Sequence, residues 1–419
     1  METNQIFSST FASPQAVCVL LVLALVSNYF AMQELAAFLL FVALLSLMAW
    51  QWSRTAMKHV RLEISSRNAR VFPGSSIPVL FKVENHKLLP LIWLDVLLRA
   101  PENGCVEPSG KFQREPYRDF SKGEEYEVFR RKFTWILWHQ TLEWKTEFEA
   151  RRRGIYFLEK VTTCSGDGFG LSVRNREYNL PNPSSFVVFP KLVEADCSPF
   201  VRNMYQASVG SSGFYEDQTL LRSNREYQTG DSMRRINWRL AARQDKLQVN
   251  VYETILPRSS LFIVDLQSFR KVVQEEPSKR EIITVWEEEL EETLSIVGSL
   301  FVGLEQREMC CGLALPGVSG RMGRILPPEK GAEQTPELLT ALAAVEYRGE
   351  PCLFAEEELM NLRETCGQAY LVTRSLASCG CKRLLERWGS RLELLVWQEE
   401  SAGEYRQRLL PSLRKGGVA

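Results

Sequence analysis

LAAFLLFVALLSLMAWQWS, residues 35–53, carries no charged side chain. It is close to the ~20 residues that an α-helix needs to cross the hydrocarbon core of a bilayer. Trp50 and Trp52 stand at its end, where an interfacial belt of aromatic rings places them. Upstream, residues 3–33 are also uncharged, AVCVLLVLALV at 16–26 is wholly apolar, and Glu34 alone separates the two stretches. A cleaved signal peptide requires a basic n-region, yet no lysine or arginine precedes Arg54. Two successive apolar segments of this length are also hard to hide in a soluble core. The reading is an N-terminal tail (1–13) followed by a two-helix transmembrane hairpin (14–52).

Orientation follows from charge. Arg54, Lys58, Arg61, Arg67 and Arg70 come after the second span against a single Glu63, while the turn of the hairpin carries only Glu34. The positive-inside rule then places everything after residue 52 in the cytoplasm, and the protein in the plasma membrane as a multi-pass chain. An even number of spans returns the N-terminus to the same side. The bilayer is thus the first expected partner.

Composition narrows the rest. Lysine plus arginine (51) equals aspartate plus glutamate (51), so no global field is available to hold nucleic acid, and none is expected as a partner. The ten cysteines are scattered, and C-x-C at Cys379 and Cys381 lacks a second ligand pair, so they read as reduced thiols, not as a disulfide framework or a zinc site.

From 53 to 195 the chain reads as short strands punctuated by turns, VRLEI at Val60, IPVLFKVEN at Ile77, LIWLDVLL at Leu91, FTWIL at Phe133 and FVVFP at Phe186. Such spacing implies an antiparallel β-sandwich-like domain, an architecture common among interaction modules. GDGFG at 166–170 lacks the spacing and the following lysine of a phosphate loop, and reads as a turn.

Residues 196–256 form a linking segment whose densest part is REYQTGDSMRRINWRLAARQDKLQVNVYE, 225–253. Gly230 and Asp231 mark a turn, Asp231 is the expected N-cap, and a helix is expected from Met233 to Arg243. Arg235, Arg239 and Arg243 would then share one face, Ile236 and Leu240 another. The arginine stripe suits an anionic partner or phosphate, and Asp231 with Glu253 suits a metal. The structural alternative has the arginines pairing with Asp231, Glu226 and Glu253 between domains, with Trp238 as a buried packing anchor. A convergent polar pocket would favour an enzyme acting on an anionic substrate through Asp231, Arg235, Arg239 and Glu253. A buried, fully paired network would favour a scaffold.

From 257 to 419 strands alternate with helices: SLFIVDL, a long helix at 281–306, CCGLAL, helices near 336–345 and 382–388, AYLVT and LELLVW. This alternation implies a parallel sheet covered on both faces, a Rossmann-type α/β domain. Asp265 falls at the C-terminal end of its first strand, where such folds bind ligands.

The 225–253 segment, RRRGIYFLEKVTTCSGDGFGL at 151–171 and VENHKLLPLIWL at 83–94 together resemble the domain of unknown function 58 family. Its link motif G-D-x-x-R-R-I-x-W-x-x-x-A-R is matched by Gly230, Asp231, Arg234, Arg235, Ile236, Trp238, Ala242 and Arg243. The resemblance implies a membrane-anchored plan ending in a von Willebrand factor A-like domain. It also implies a non-enzymatic scaffold or adaptor role beside a MoxR-type AAA+ ATPase, sometimes with a transglutaminase-like membrane protein. Where a metal-binding domain of that kind has D-x-S-x-S, this chain has Asp265, Gln267 and Phe269. Phenylalanine cannot ligate, so neither metal nor other cofactor is expected, and no catalytic residue is assigned.

Overall fold

The computed structural model describes residues 4–8, 14–119, 123–168, 172–208, 215–244, 246–255, 259–275, 280–315, 324–346, 359, 361–362, 366–379, 381–398 and 406–414. Phe169 and Gly170 of the GDGFG turn, Cys352 and the side chain of Glu253 lie outside what is described. The chain divides into two compact units, Met1–Phe189 and Pro190–Ala419. The first break expected after the hairpin therefore does not separate units, because the second helix runs directly into the β core through Met57.

The N-terminal unit contains β1 (Asn4–Ser8), helices α1 (Pro14–Tyr29) and α2 (Gln33–Ala56), then β2 (Val60–Ser65), β3 (Ala69–Val71), β4 (Ser76–Asn85), β5 (Leu91–Arg99), β6 (Val106–Pro108), β7 (Gln113–Asp119), β8 (Glu124–Ile136), β9 (Thr141–Ala150), β10 (Gly154–Gly166) and β11 (Ser172–Val188). One sheet has the order β1-β11-β10-β5-β8-β7 with β3 beside β11, and a second has the order β2-β4-β9-β6. Only β3 pairs in parallel. Phe81, Val83 and Phe148 from the smaller sheet share one core with Leu94, Val96 and Phe186 from the larger, as the alternating pattern of β4 requires. Phe81 stacks on Trp144 with ring centroids 5.0 Å apart. Residues 4–8, read from the sequence only as a tail, extend the larger sheet by pairing with β11.

Of the two N-terminal helices, α2, with 24 residues, is long and apolar enough to cross a membrane. α1 is apolar too but shorter, with 16 residues. Their packing puts small residues inside and large ones outside. Ala24, Ser27, Ala36, Ala43, Ser46 and Ala49 are buried, whereas Val19, Leu25, Phe38, Leu40, Phe41 and Leu44 are exposed.

At the end of α2, Lys87 Nζ donates to the carbonyl of Thr55 at 3.0 Å and to that of Ala56, so a cation meets the negative end of the helix. Burial nevertheless lowers the Lys87 ammonium to about 8. An unfolded lysine ionises near ~10.4, so between these values the unfolded chain binds the extra proton and stability rises with pH. The wild-type chain should gain denaturation midpoint relative to Lys87→Met as pH is raised from 8 to 10, and a constant difference across that window would refute the coupling.

The C-terminal unit contains α3 (Ser198–Ser208), β12 (Tyr215–Glu226), α4 (Trp238–Gln244), β13 (Gln248–Ile255), β14 (Ser259–Val264), β15 (Arg270–Glu275), β16 (Arg280–Val285), α5 (Glu287–Glu305), β17 (Cys310–Leu315), β18 (Arg324–Leu326), α6 (Gln334–Ala343), β19 (Gln368–Thr373), α7 (Lys382–Trp388), β20 (Leu392–Val396) and β21 (Gln407–Leu409). A six-stranded sheet runs β18-β17-β14-β19-β20-β21, parallel except for the edge strand β18. Strands β14 and β20 are buried at every position because both faces are covered. Phe262 and Val264 of β14 join the cluster formed with α3, α5 and α6, while Leu261 and Ile263 join the one formed with α7.

One expectation is corrected here. The helix expected to start at residue 281 begins at Glu287, because Ile282, Ile283, Thr284 and Val285 are β-branched and pair as β16 with β15. Within the linking segment, β12 and β13 pair as a two-stranded ribbon.

Candidate functional site

The motif residues lie on the connection between β12 and β13. Gln228 to Asp231 make a turn closed by a 3.0 Å bond from Asp231 N to Gln228 O, and Gly230 supplies its φ of +111°, which a side chain rarely adopts. Asp231 does not cap a helix. Its carboxylate takes both arms of the Arg225 guanidinium, at 2.6 and 2.8 Å, and the amide of Gln228 at 2.9 Å. Arg225, followed by the Gln228 amide, holds the carboxyl below the usual range.

The expected helix from Met233 to Arg243 is two pieces. Met233–Arg235 is a single 3-10 turn, Ile236 is extended and bridges Val249, and α4 starts at Trp238. Asn237 is the residue that caps α4: its Oδ1 accepts from Leu240 N at 3.1 Å, while its Nδ2 reaches Asn250 Oδ1 at 3.0 Å. An asparagine directly before the helix was the available sequence signal. The break removes Arg235 from the stripe and leaves Arg239 and Arg243 on α4. Arg234, Arg235, Arg239 and Arg243 are all exposed. Trp238 is 63% exposed and Met233 69%, so the indole is not a buried anchor. Lys246, not a motif arginine, pairs with Glu226 at 2.8 Å. Glu253 is placed on β13 opposite Asp217 by its backbone.

Asp265 occupies a different place, the end of β14, the strand that lies between β17 and β19. It is buried, and its Oδ1 accepts from Gln267 N at 3.2 Å, capping the 3-10 turn Leu266–Phe269. Ser268 Oγ donates to Asp265 O at 2.7 Å and accepts from Arg374 N at 2.9 Å. Phe269 is inside the core. The neighbouring Cys379 thiol is pushed up to about 12, first by burial and then by the Asp265 charge. Among the described residues no group of three or more His, Cys, Asp or Glu side chains converges as metal ligands would.

Residues 223–402 match the family described as protein of unknown function DUF58. Those residues belong to DUF58. The DUF58 region takes in the end of β12, the motif, β13 and most of the parallel sheet, whereas the 83–94 and 151–171 stretches that also suggested the family lie outside it. No curated protein matches the chain. Solved structures similar to parts of it include a non-cellulosomal cohesin from the archaeon Archaeoglobus fulgidus, with 17% identity and a TM-score of 0.18, covering 30% of this chain and 91% of that one. The seventh ScaB type I cohesin from Pseudobacteroides cellulosolvens has 12% identity and a TM-score of 0.17, with 30% and 91% covered. The sporulation control protein Spo0M from Bacillus subtilis has 11% identity and a TM-score of 0.17, with 38% and 58% covered. Likeness at this level carries no argument about this chain.

Proposed function

We propose that this protein is a membrane-anchored, non-enzymatic scaffold whose DUF58 motif docks another protein at the cytoplasmic face of the plasma membrane. In this reading α1 and α2 both span the bilayer, and the C-terminal sheet is a von Willebrand factor A-like domain. The partner is a MoxR-type AAA+ ATPase, and a transglutaminase-like membrane protein belongs to the same assembly. The inverted packing of the hairpin, small side chains within and large apolar ones outside, supports a lipid environment. A short span such as α1 is accommodated by local thinning of the bilayer. Pairing of β1 with β11 supports a hairpin whose two ends lie on one side.

The observation that carries the docking reading is the exposure of Trp238 among Arg234, Arg235, Arg239 and Arg243. Tryptophan and arginine dominate the energetic centres of protein interfaces, and an exposed indole gives the folded chain little in return. The rival enzyme reading has less support, because the Asp231 carboxylate is engaged by Arg225.

Trp238→Ala should change stability by no more than about 0.5 kcal/mol, as exposed substitutions do. It should also weaken retention of the ATPase by ~30-fold, corresponding to a hot spot of about 2 kcal/mol. Thermal melting and co-purification of the identified ATPase with the full chain from solubilised membranes measure the two. Unchanged retention would remove the docking role, and a collapse in melting temperature would return Trp238 to a structural one.

A further inference from the structure

The loops at the hairpin end of the N-terminal unit expose a cluster of large apolar side chains. Leu88 is 78% exposed, Trp135 65% and Trp138 58%, and Leu89 and Leu137 accompany them. The β4–β5 loop carries Leu88 and Leu89, the end of β8 carries Trp135 and the β8–β9 loop carries Leu137 and Trp138, and Asn85 ties the two loops together. Its Nδ2 donates to Leu89 O at 3.1 Å and to Leu137 O at 2.9 Å, and its amide donates to Gln140 O at 3.0 Å. Lys87, in the first loop, is bonded to the last carbonyls of α2. The cluster is therefore fixed beside the point where α2 leaves its apolar stretch, a few residues beyond Trp50 and Trp52.

Trp135 carries a second cost. Its φ is +57°, a left-handed conformation that bulky residues rarely adopt, and the β5–β8 ladder pairs Leu91 with Ile136 and Trp93 with Thr134, passing over it. Neither the strain nor the exposure is recovered by packing within the unit, which points to a contact outside the chain. Charges of both signs surround the cluster. Lys58 and Arg61 are exposed near the end of α2, and Glu63 and Glu143 are exposed on the neighbouring strands, with Lys82 bridging Glu84 at 2.8 Å and Glu143 at 3.7 Å.

We propose that Leu88, Leu89, Trp135, Leu137 and Trp138 form a second membrane contact, in which these loop tips enter the interfacial layer of the same bilayer that the hairpin spans. The proposal rests on the membrane reading of the hairpin. Tryptophan prefers this layer. The contact would hold the β unit in a set orientation on the membrane instead of leaving it free on its tether.

The full chain, with Cys18, Cys310 and Cys352 replaced by serine, is labelled with a polarity-sensitive fluorophore at Leu88→Cys, at Leu40→Cys in the apolar stretch of α2, or at Ser76→Cys at the far end of β4. Each is reconstituted into phosphatidylcholine–phosphatidylglycerol vesicles containing lipids spin-labelled at the headgroup or deep in the acyl chain. The expected result is loss of emission at 88 with the shallow quencher, loss at 40 with the deep one, and none at 76. Quenching at 40 without quenching at 88 overturns the contact while leaving the hairpin reading intact. Absence of quenching at 40 defeats the hairpin reading itself. A blue-shifted label at 88 that no lipid quenches would mean that protein, such as a second copy of the chain, covers the cluster, and the proposal would fall.

Discussion

Phe262→Ala is expected to lower the stability of the C-terminal unit by about 3–5 kcal/mol. Phe262 sits in the central strand β14 with no exposed surface. Its ring meets Phe301 of α5 at 5.2 Å edge-on, stacks on Tyr370 of β19 at 5.1 Å and approaches Phe200 of α3 at 5.9 Å. Truncation therefore opens a cavity bounded by three other aromatic rings and two helices that cannot collapse independently. A change of this size in a unit of some 200 residues shifts the melting temperature by roughly 10 °C. A shift below about 2 °C would show that the site relaxes around the smaller residue, and that the aromatic cluster is not the keystone of this core.

Arg408→Ala should cost a similar amount by a different route. Glu393 on β20 is 3% exposed, and its Oε1 accepts from Arg408 Nε at 3.0 Å and Nη2 at 2.9 Å. Asn203 Nδ2 donates to its Oε2 at 2.6 Å. Removing the guanidinium leaves a buried carboxylate with one neutral donor, and breaking a buried pair in this way costs about 3–5 kcal/mol. The double substitution Arg408→Met with Glu393→Met removes the stranded charge and should recover most of the loss. Urea unfolding of the three chains checks it. If the double variant is as unstable as the single one, the cost comes from lost packing of the arginine stem and not from the uncompensated charge.

These two residues also show what was legible in advance. Phe262 lies in LFIV, a short apolar run with two β-branched residues that suits a strand covered on both faces, so its burial follows from local pattern. Glu393 interrupts a comparable run, LELLVW, and nothing adjacent in sequence supplies its partners: Arg408 comes from the next strand and Asn203 from α3.

The motif behaved in the same way. Gly230 and Asp231 read correctly as a turn, because a glycine's freedom and an aspartate's affinity for nearby amides act within a few residues. The continuous helix did not form. Ile236 and Asn237 are drawn into β13 through Val249, Gln248 and Asn250, and that tertiary contact outweighs the weak helical preference of the segment. Exposure of Trp238 was likewise beyond sequence, since an indole is as often an interior anchor as an interface residue, and only its neighbours in space separate the two.

What the sequence determined by itself was the apolar N-terminal stretch, the alternating strands of the middle and the switch to strand–helix alternation near residue 257, all of which depend on periodicity and composition. Tertiary structure alone decided that β1 joins the larger sheet beside β11, that Asp231 belongs to Arg225, and that the connections carrying Leu88 and Leu137 are tied together beside the end of α2. Each of these brings together groups far apart in the chain or chooses among equivalent polar partners, and hydrophobic pattern carries no information about which of them close in space.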